Sequence, residues 1–364
     1  MIACLKRLQE NKLNYLITGG AGFVGGNLAI FLSNLGNSVL CVDNLSRRGS
    51  ENNLKRFREF SNISFQHCDI RNKEDLEQIN FKPDVVLECS AQTTAVDGYT
   101  NPMYDFTNNT VGLVNVLEFC RKNNSGIIFW SSNKAYSGDF CNSIPMRETD
   151  TRFEWSEKKY ISRGWSPLGF NELGDINGGN HTIYGVTKNA SDIIVQEWAS
   201  AFKMPAIINR FSCLYGPHQF GKVSQGWVVW FALAKKFGID LKFYGFKGKQ
   251  VRDCLHIDDL CSLILKQSLN IDSHFGSYYN VGGGINNTTS VLELSNTLDS
   301  IFKNKENIIK CEPQRKADQK IYISDITKVS RDFSWNPEIS LDKGIKTVVD
   351  WIEDPDEDFS WVRV

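Results

Sequence analysis

Three glycines, at positions 19, 22 and 25, constrain the fold of this chain more than any other feature. Tyr15, Leu16 and Ile17 have strand character and run straight into them, and an apolar, helix-like pattern follows. A strand, a glycine turn and a helix in that order let main chain approach a pyrophosphate. The helix start then offers free N–H groups and a partial positive charge. In such a turn Gly19 suits the tight bend, Gly22 the close approach and Gly25 the packing of helix on strand. The spacing alone also occurs in ordinary loops, so its surroundings must decide.

Residues 37–42 read as the second strand, and Asp43 ends it roughly twenty residues past the glycines, where an acid accepts from the adenosine ribose hydroxyls. A carboxylate there repels a 2′-phosphate, which favours NAD over NADP. Arg47 and Arg48 pull the other way and are read as solvated loop residues.

With 364 residues the chain has room for one large α/β domain and a smaller one. A net charge of −1 gives no electrostatic case for nucleic acid. No apolar run approaches the length that spans a bilayer, and residues 1–12 lack the sustained apolar region of a secretory signal, so they are read as an appendage. The ten cysteines form no CxxC pair and no zinc-like spacing. They are expected to be reduced thiols of a cytoplasmic protein, and no metal is expected.

Strands alternate with helical patterns through the first half, as a parallel sheet with crossover helices demands. Strands are expected at 63–65, 84–88, 126–130 and 206–211, and helices at 104–122 and 184–202. The fold class is therefore α/β: a doubly wound Rossmann sheet with a smaller mixed α/β C-terminal substrate domain. The expected boundaries are 12–213 for the first, with 250–282 returning to it, and 214–249 plus 283–355 for the second. Residues 1–11 and 356–364 are expected to be polar tails. Residues 145–182 show little periodicity, and so long a loop beside the helix at 184 is expected to form the rim of an active site.

Tyr184 and Lys188 stand one helical turn apart on one face. A tyrosine is a poor base near neutral pH, but an ammonium and an oxidised nicotinamide nearby both favour the phenolate. Such a phenolate takes a proton from a sugar hydroxyl while hydride leaves the same carbon. With eleven tyrosines present, one such pair is expected by chance, so the pair alone decides nothing. Ser132 closes a strand, where its hydroxyl either caps a turn or shares the substrate hydroxyl with Tyr184.

With these residues in this order the chain resembles the extended short-chain dehydrogenases/reductases that act on nucleotide sugars. The resemblance rests on TGGAGFVG (18–25), VDN (42–44), CDI (68–70), Ala91-Gln92, Asn109, SSNKAY (131–136), YGVTK (184–188), RFSCLYGP (210–217) and VRDCLHIDD (251–259). It implies a catalytic trio of Ser132, Tyr184 and Lys188. It implies a cofactor lined by Gly19, Gly22, Phe23, Val24, Gly25, Asp43, Asn44, Asp69, Ile70, Ala91, Gln92 and Asn109, with Tyr184 and Lys188 reaching it. Arg252 would hold a substrate phosphate, since a guanidinium fork matches phosphate oxygens. Asn133, Lys134, Arg210, Gln219, Gln225, Gln250 and Arg315 are further candidates for substrate or phosphate contacts. A homo-oligomer, dimer or tetramer, built through paired helices is also implied.

Members of the family either return hydride to the other face of a transient ketone or eliminate water before reducing. The dehydratases that resemble this chain carry Asp-Glu directly after the catalytic hydroxyl. Here Asn133 and Lys134 stand in those places, which disfavours elimination. Residues 43–54, 131–136, 218–231, 248–253 and 317–325 look most like the group of CDP-paratose 2-epimerases, also called CDP-tyvelose epimerases, which serve lipopolysaccharide O-antigen synthesis. Residues 156–180 do not match that group well. Cys213 stands where many members have a substrate-contacting Asn. A 4-epimerase, a 4,6-dehydratase and a non-catalytic NAD-binding protein are the alternatives.

Overall fold

The structure is a computed structural model that describes residues 12–94, 96–156, 163–303 and 309–363. The expected appendage at 1–11 lies outside the described residues. Seven strands form the main sheet, in the order Phe275–Val281, Ala206–Phe211, Gly126–Ser132, Val85–Glu88, Asn14–Thr18, Ser38–Asp43, Ile63–His67, every neighbouring pair parallel. The chain lays down its first three strands in one direction and then returns to the other side of Asn14–Thr18. A crevice opens at such a switch point, at the carboxyl ends of the strands. All seven residues of Gly126–Ser132 are buried, as a strand covered by helices on both faces requires.

Two apolar cores fill the faces of this sheet. One joins Leu28, Leu32, Ile128, Ile207 and Tyr279 to Leu260, Ile264, Val329, Phe333 and Trp335. The other joins Leu16, Val86, Phe129 and Ile208 to Val116, Leu117, Val195 and Ala199. A third core lies under the helices Trp227–Phe237, Val291–Phe302 and Leu341–Glu353, beside a small sheet of Cys213–Tyr215, Val251–His256, Thr288–Ser290 and Ile321–Tyr322. Among the described residues no helix is long and apolar enough to cross a membrane.

The structure departs from expectation in three places. The helix expected over 104–122 runs without a break from Pro102 to Asn123, but with a wider π turn at Thr107–Val111 inside it. The wider turn carries Asn109, whose amide bonds the Gln92 main chain and the Thr187 hydroxyl (3.0 Å) instead of facing solvent. Within 145–182 two short hairpins form, Met146–Glu148 with Phe153–Trp155 and Trp165–Ser166 with Gly169–Phe170. Their aromatic residues pack with Tyr136 and Tyr322 in a satellite core. The expected polar tail at 356–364 instead lays Phe359 on Trp351 (5.0 Å between rings) and Trp361 on Phe220 (5.1 Å), because its apolar side chains find a hydrophobic surface.

Candidate active site

The glycine turn is shaped by what it excludes. Gly19 holds φ +61°, a left-handed conformation, and a Cβ there would press on the Cys89 main chain at 3.0 Å. A Cβ at Gly25 would lie 2.4 Å from the Gly19 carbonyl oxygen, so the helix Phe23–Asn34 can seat against the turn only with glycine. Gly22 starts that helix with no side-chain cap and no acid in the first turn, which leaves its N–H groups for a phosphate ligand. The crevice above is lined by Gly19, Gly22, Phe23, Val24, Gly25, Asp43, Asn44, Ile70 and Ala91. A dinucleotide fits this main-chain cradle.

Asp43 closes the crevice on one side, accepting from the main-chain N–H of Ala21 (3.1 Å) and Leu45 (2.8 Å). Burial raises its carboxyl above the usual range. Asp69 lies behind the wall, bonded by Arg71 and by the Asn44 amide (3.1 Å), and the Arg71 contact pulls its carboxyl down to about 2. Gln92 and Asn109 are buried and tie the loop after Val85–Glu88 to the helix Ile183–Phe202. They brace the crevice from behind. Arg47, read from sequence as solvated, reaches Thr93 (3.1 Å), the Phe220 carbonyl (3.0 Å) and the Gln225 side chain, while Arg48 is exposed.

A second, wider cleft continues from the first and shares Phe23, Val24, Ala91, Gln219 and Gln225 with it. Ser132, Tyr184 and Lys188 stand at the junction. The parallel register that pairs Ser132 with Phe211 brings the ends of two central strands to one height. Thr182 caps the helix Ile183–Phe202, accepting from Gly185 N (2.9 Å), which sets Tyr184 in the first turn. The Ser132 hydroxyl accepts from Lys134 N (3.2 Å) and donates to Asn133 Oδ1 (3.3 Å), capping a turn, and its dipole acts on the Tyr184 phenol, drawing it down against burial.

The protein's own charges do not favour the phenolate as the sequence reading expected. Burial pushes Tyr184 up to about 12, and the buried Asp105 carboxyl adds to the rise. Lys188 turns its ammonium to the Trp130 carbonyl (2.8 Å), and burial lowers its affinity for the proton. Glu88 supplies the compensating negative charge. This carboxyl is almost fully buried at the end of its strand and weakly bonded by Thr18 (3.4 Å); burial raises it to about 7 against the pull of Lys188. Sequence reasoning missed Glu88 because its place in the strand pattern reads as core.

Of the substrate candidates, Asn133, Lys134, Gln219, Gln225, Gln250, Arg252 and Arg315 line the wide cleft. Buried Oε1 atoms of Gln219 and Gln250 and the Nε of Arg315 have no partner there, as expected of groups that await a polar ligand. Arg315 stacks over Tyr244, 4.1 Å from the ring centre. Arg252 is held by Asp318 (2.8 Å) and by the Val251 carbonyl (2.8 Å). Asp318 was missed, although it lies in a stretch that carried the resemblance.

Arg210 is not in the cleft. It forms a buried two-pronged ion pair with Asp192 (2.8 and 3.2 Å) and reaches the Tyr136 hydroxyl (3.1 Å), because its strand position faces the helix Ile183–Phe202. Residues 145–182 supply no lining residue of the wide cleft among the described residues, contrary to the expected rim. Their aromatic side chains are spent on the satellite core.

The model of the NAD dependent epimerase/dehydratase family matches residues 15–161, and that of GDP-mannose 4,6 dehydratase matches residues 174–348. CDP-paratose 2-epimerase of Salmonella typhi is 35% identical over 93% of this chain and 99% of its own length. dTDP-glucose 4,6-dehydratase of Salmonella typhimurium is 26% identical over 93% and 92%. The UDP-glucose 4-epimerase of Thermotoga maritima, solved with UDP-glucose, superposes with a TM-score of 0.74 at 25% identity, covering 93% of this chain and 98% of that one. The Thermus thermophilus UDP-glucose 4-epimerase, solved with NAD, gives 0.74 at 23%, covering 94% and 100%. A glycine cradle fit for a dinucleotide, a serine–tyrosine pair at its inner end and a relative alike along nearly its whole length have one common explanation: the chain belongs to the family of NAD-dependent nucleotide-sugar epimerases and dehydratases.

Proposed function

We propose that this enzyme is a 2-epimerase of a CDP-sugar of the paratose/tyvelose type. The observation that carries the choice of reaction is the scarcity of carboxylates in the wide cleft. Among the described lining residues Asp318 stands alone as an acid, and it is engaged by Arg252 (2.8 Å) and Lys134 (3.7 Å). Elimination of water needs a proton donor and a base beside the sugar. Asn133 and Lys134 supply neither: both side chains turn to Gln319 Oε1 (3.4 and 3.3 Å).

NAD held in the crevice of Gly19, Gly22, Gly25 and Asp43 would supply reversible two-electron chemistry at the sugar carbon. With the positive charge of an oxidised nicotinamide beside it to offset burial, Tyr184 would take the hydroxyl proton of that carbon and later return it, with Ser132 bonding the same oxygen. Lys134, Lys188, Lys242, Arg252 and Arg315 line the cleft; Glu312 pairs with Lys242 (3.1 Å), Glu88 lies behind Lys188 and Asp318 faces Lys134 and Arg252, which leaves an excess of positive charge that suits a diphosphate. Gln219, Gln225 and Gln250 are assigned to the sugar and base. A 4-epimerase would use the same machinery on another carbon, and a non-catalytic NAD-binding protein would have no use for Ser132, Tyr184 and Lys188 together.

On this reading the protein works in the cytoplasm, making a nucleotide sugar for O-antigen synthesis, and reduced cysteines accord with that compartment. Met103, Phe106, Val186 and Ile193 are exposed apolar residues on neighbouring helices and support a homodimer, or a tetramer built from it. Light scattering tests the assembly. The activity is tested by incubation with CDP-, UDP-, GDP- and dTDP-sugars followed by NMR of the products. A C2 epimer without net NADH is the expected result, and a 4-keto-6-deoxy product overturns the reading.

A further inference from the structure

Two cysteines meet in the wall of the wide cleft. Cys213 and Cys254 are register partners on the adjacent parallel strands Cys213–Tyr215 and Val251–His256. Neighbouring strands lie about 4.8 Å apart, which falls within the Cα separation of about 4.4–6.8 Å that a disulfide tolerates, and register partners point to one face. Cys213 is partly exposed and lines the cleft; Cys254 is buried behind it.

The surroundings favour a thiolate at Cys213. The adjacent Cys254 thiol favours the charged form against the cost of burial, and the Trp227 indole N–H donates to the Cys213 sulfur at 3.2 Å. The Arg252 guanidinium adds positive charge, Lys134 also faces it, and Asp253 opposes them. Together these bring the Cys213 thiol down to about 7. Elsewhere burial pushes thiols up, at Cys41, Cys68, Cys89, Cys120, Cys141 and Cys261. Cys89 is a useful contrast: it lines the same cleft but lacks such donors, and its thiol is raised. A low-pKa, accessible thiolate beside a second thiol is the arrangement that oxidation selects.

We propose that Cys213 and Cys254 form an oxidation site for small hydroperoxides, Cys213 as the attacking sulfur and Cys254 as the resolving one. The Cys213 thiolate attacks one peroxide oxygen; the O–O bond breaks, the leaving hydroxide takes a proton as water, and sulfur is oxidised to the sulfenic acid. Cys254 then attacks that sulfur. The S–S bond forms, the S–O bond breaks, and the departing hydroxide leaves as water with the Cys254 proton. Two thiols and one hydrogen peroxide thus give one disulfide and two waters. The new bond draws Cys213 Sγ away from Trp227 and remodels the cleft wall, so oxidation and substrate binding compete for one surface.

The test uses the purified full-length protein with its bound cofactor, treated with limiting hydrogen peroxide at neutral pH, alkylated and mapped by mass spectrometry. The Cys213–Cys254 cross-linked peptide should appear before any other oxidised cysteine and vanish with dithiothreitol. Oxidation that falls first on the exposed Cys311 or on Cys89 overturns the proposal. So does over-oxidation of Cys213 while Cys254 remains alkylatable. Cys254→Ala should leave Cys213 as a sulfenic acid that dimedone captures, and a folded variant without that adduct counts against the proposal. A competition on the wild-type protein needs no variant: with limiting iodoacetamide, Cys213 should react about fivefold faster than Cys311, and equal rates refute the assignment.

Discussion

The cofactor crevice is built around a glycine turn that brings main chain up to the ligand, whereas the wider cleft beside it depends on polar side chains drawn from many separate segments. Gly19, Gly22 and Gly25 act through the Cβ atoms they lack, within one turn of seven residues. Lys134, Gln219, Gln250, Arg252, Arg315 and Asp318 act through the ends of long side chains that the fold gathers from positions far apart. The first construction tolerates almost no substitution and binds one kind of ligand. The second can be altered one side chain at a time, which is how a family with one cofactor comes to serve many sugars.

The largest effect should come at the junction of the two. Tyr184→Phe should slow epimerisation by about a hundred- to ten-thousand-fold while the cofactor stays bound, read from turnover and from bound NAD in the same sample. Activity within tenfold of wild type would remove Tyr184 from the chemistry. Gly25→Ala tests the main-chain wall: its Cβ must push the Gly19 carbonyl from 2.4 Å, at a cost of about 2–4 kcal/mol, seen as a lower Tm together with lost NAD. A variant of unchanged Tm and NAD content would break the contrast. Arg252→Gln tests the side-chain wall and should raise KM about ten- to a hundredfold with kcat little changed, while Tm moves less than in Gly25→Ala.

The smallest effect lies beneath the junction. Asp105 is fully buried, neither carboxylate oxygen has a partner, and burial raises its carboxyl from 3.8 to about 6. The folded protein therefore holds this proton up to about pH 6, whereas the unfolded chain releases it near pH 4. Stability should fall as pH rises through that window. Asp105→Asn removes the dependence and should gain on the order of 1 kcal/mol over wild type above pH 6, with the gain shrinking toward pH 4 in urea melts. Parallel curves for the two proteins would show that Asp105 keeps its charge at no cost.

The same contrast explains what could be read before the structure. The strand Ala206–Phe211, the helix Ile183–Phe202 and the glycine turn announce themselves because each depends on local pattern: apolar runs, a capping residue, a backbone that needs glycine. Arg210 misleads for the opposite reason. A guanidinium on a strand beside the site reads as a ligand contact, and only the packing of the helix Ile183–Phe202 places Asp192 against it. Glu88 and Asp318 are silent in sequence because their meaning comes from Lys188 and Arg252, each far away in the chain. Residues 145–182 look irregular for a related reason, since two-residue strands leave no periodicity to detect.

Arg47 belongs to the loop that follows Asp43, and its guanidinium ends on the Phe220 carbonyl, in the wall of the cofactor crevice, and on the Gln225 side chain, which lines both compartments. The two compartments therefore share a wall and are not modular. An exchange at Gln225 made to suit a different sugar also removes the anchor of a cofactor loop, and a change at Arg47 made to admit a 2′-phosphate disturbs the sugar's surroundings. Retuning either preference on this scaffold requires substitutions in concert on both sides of that contact.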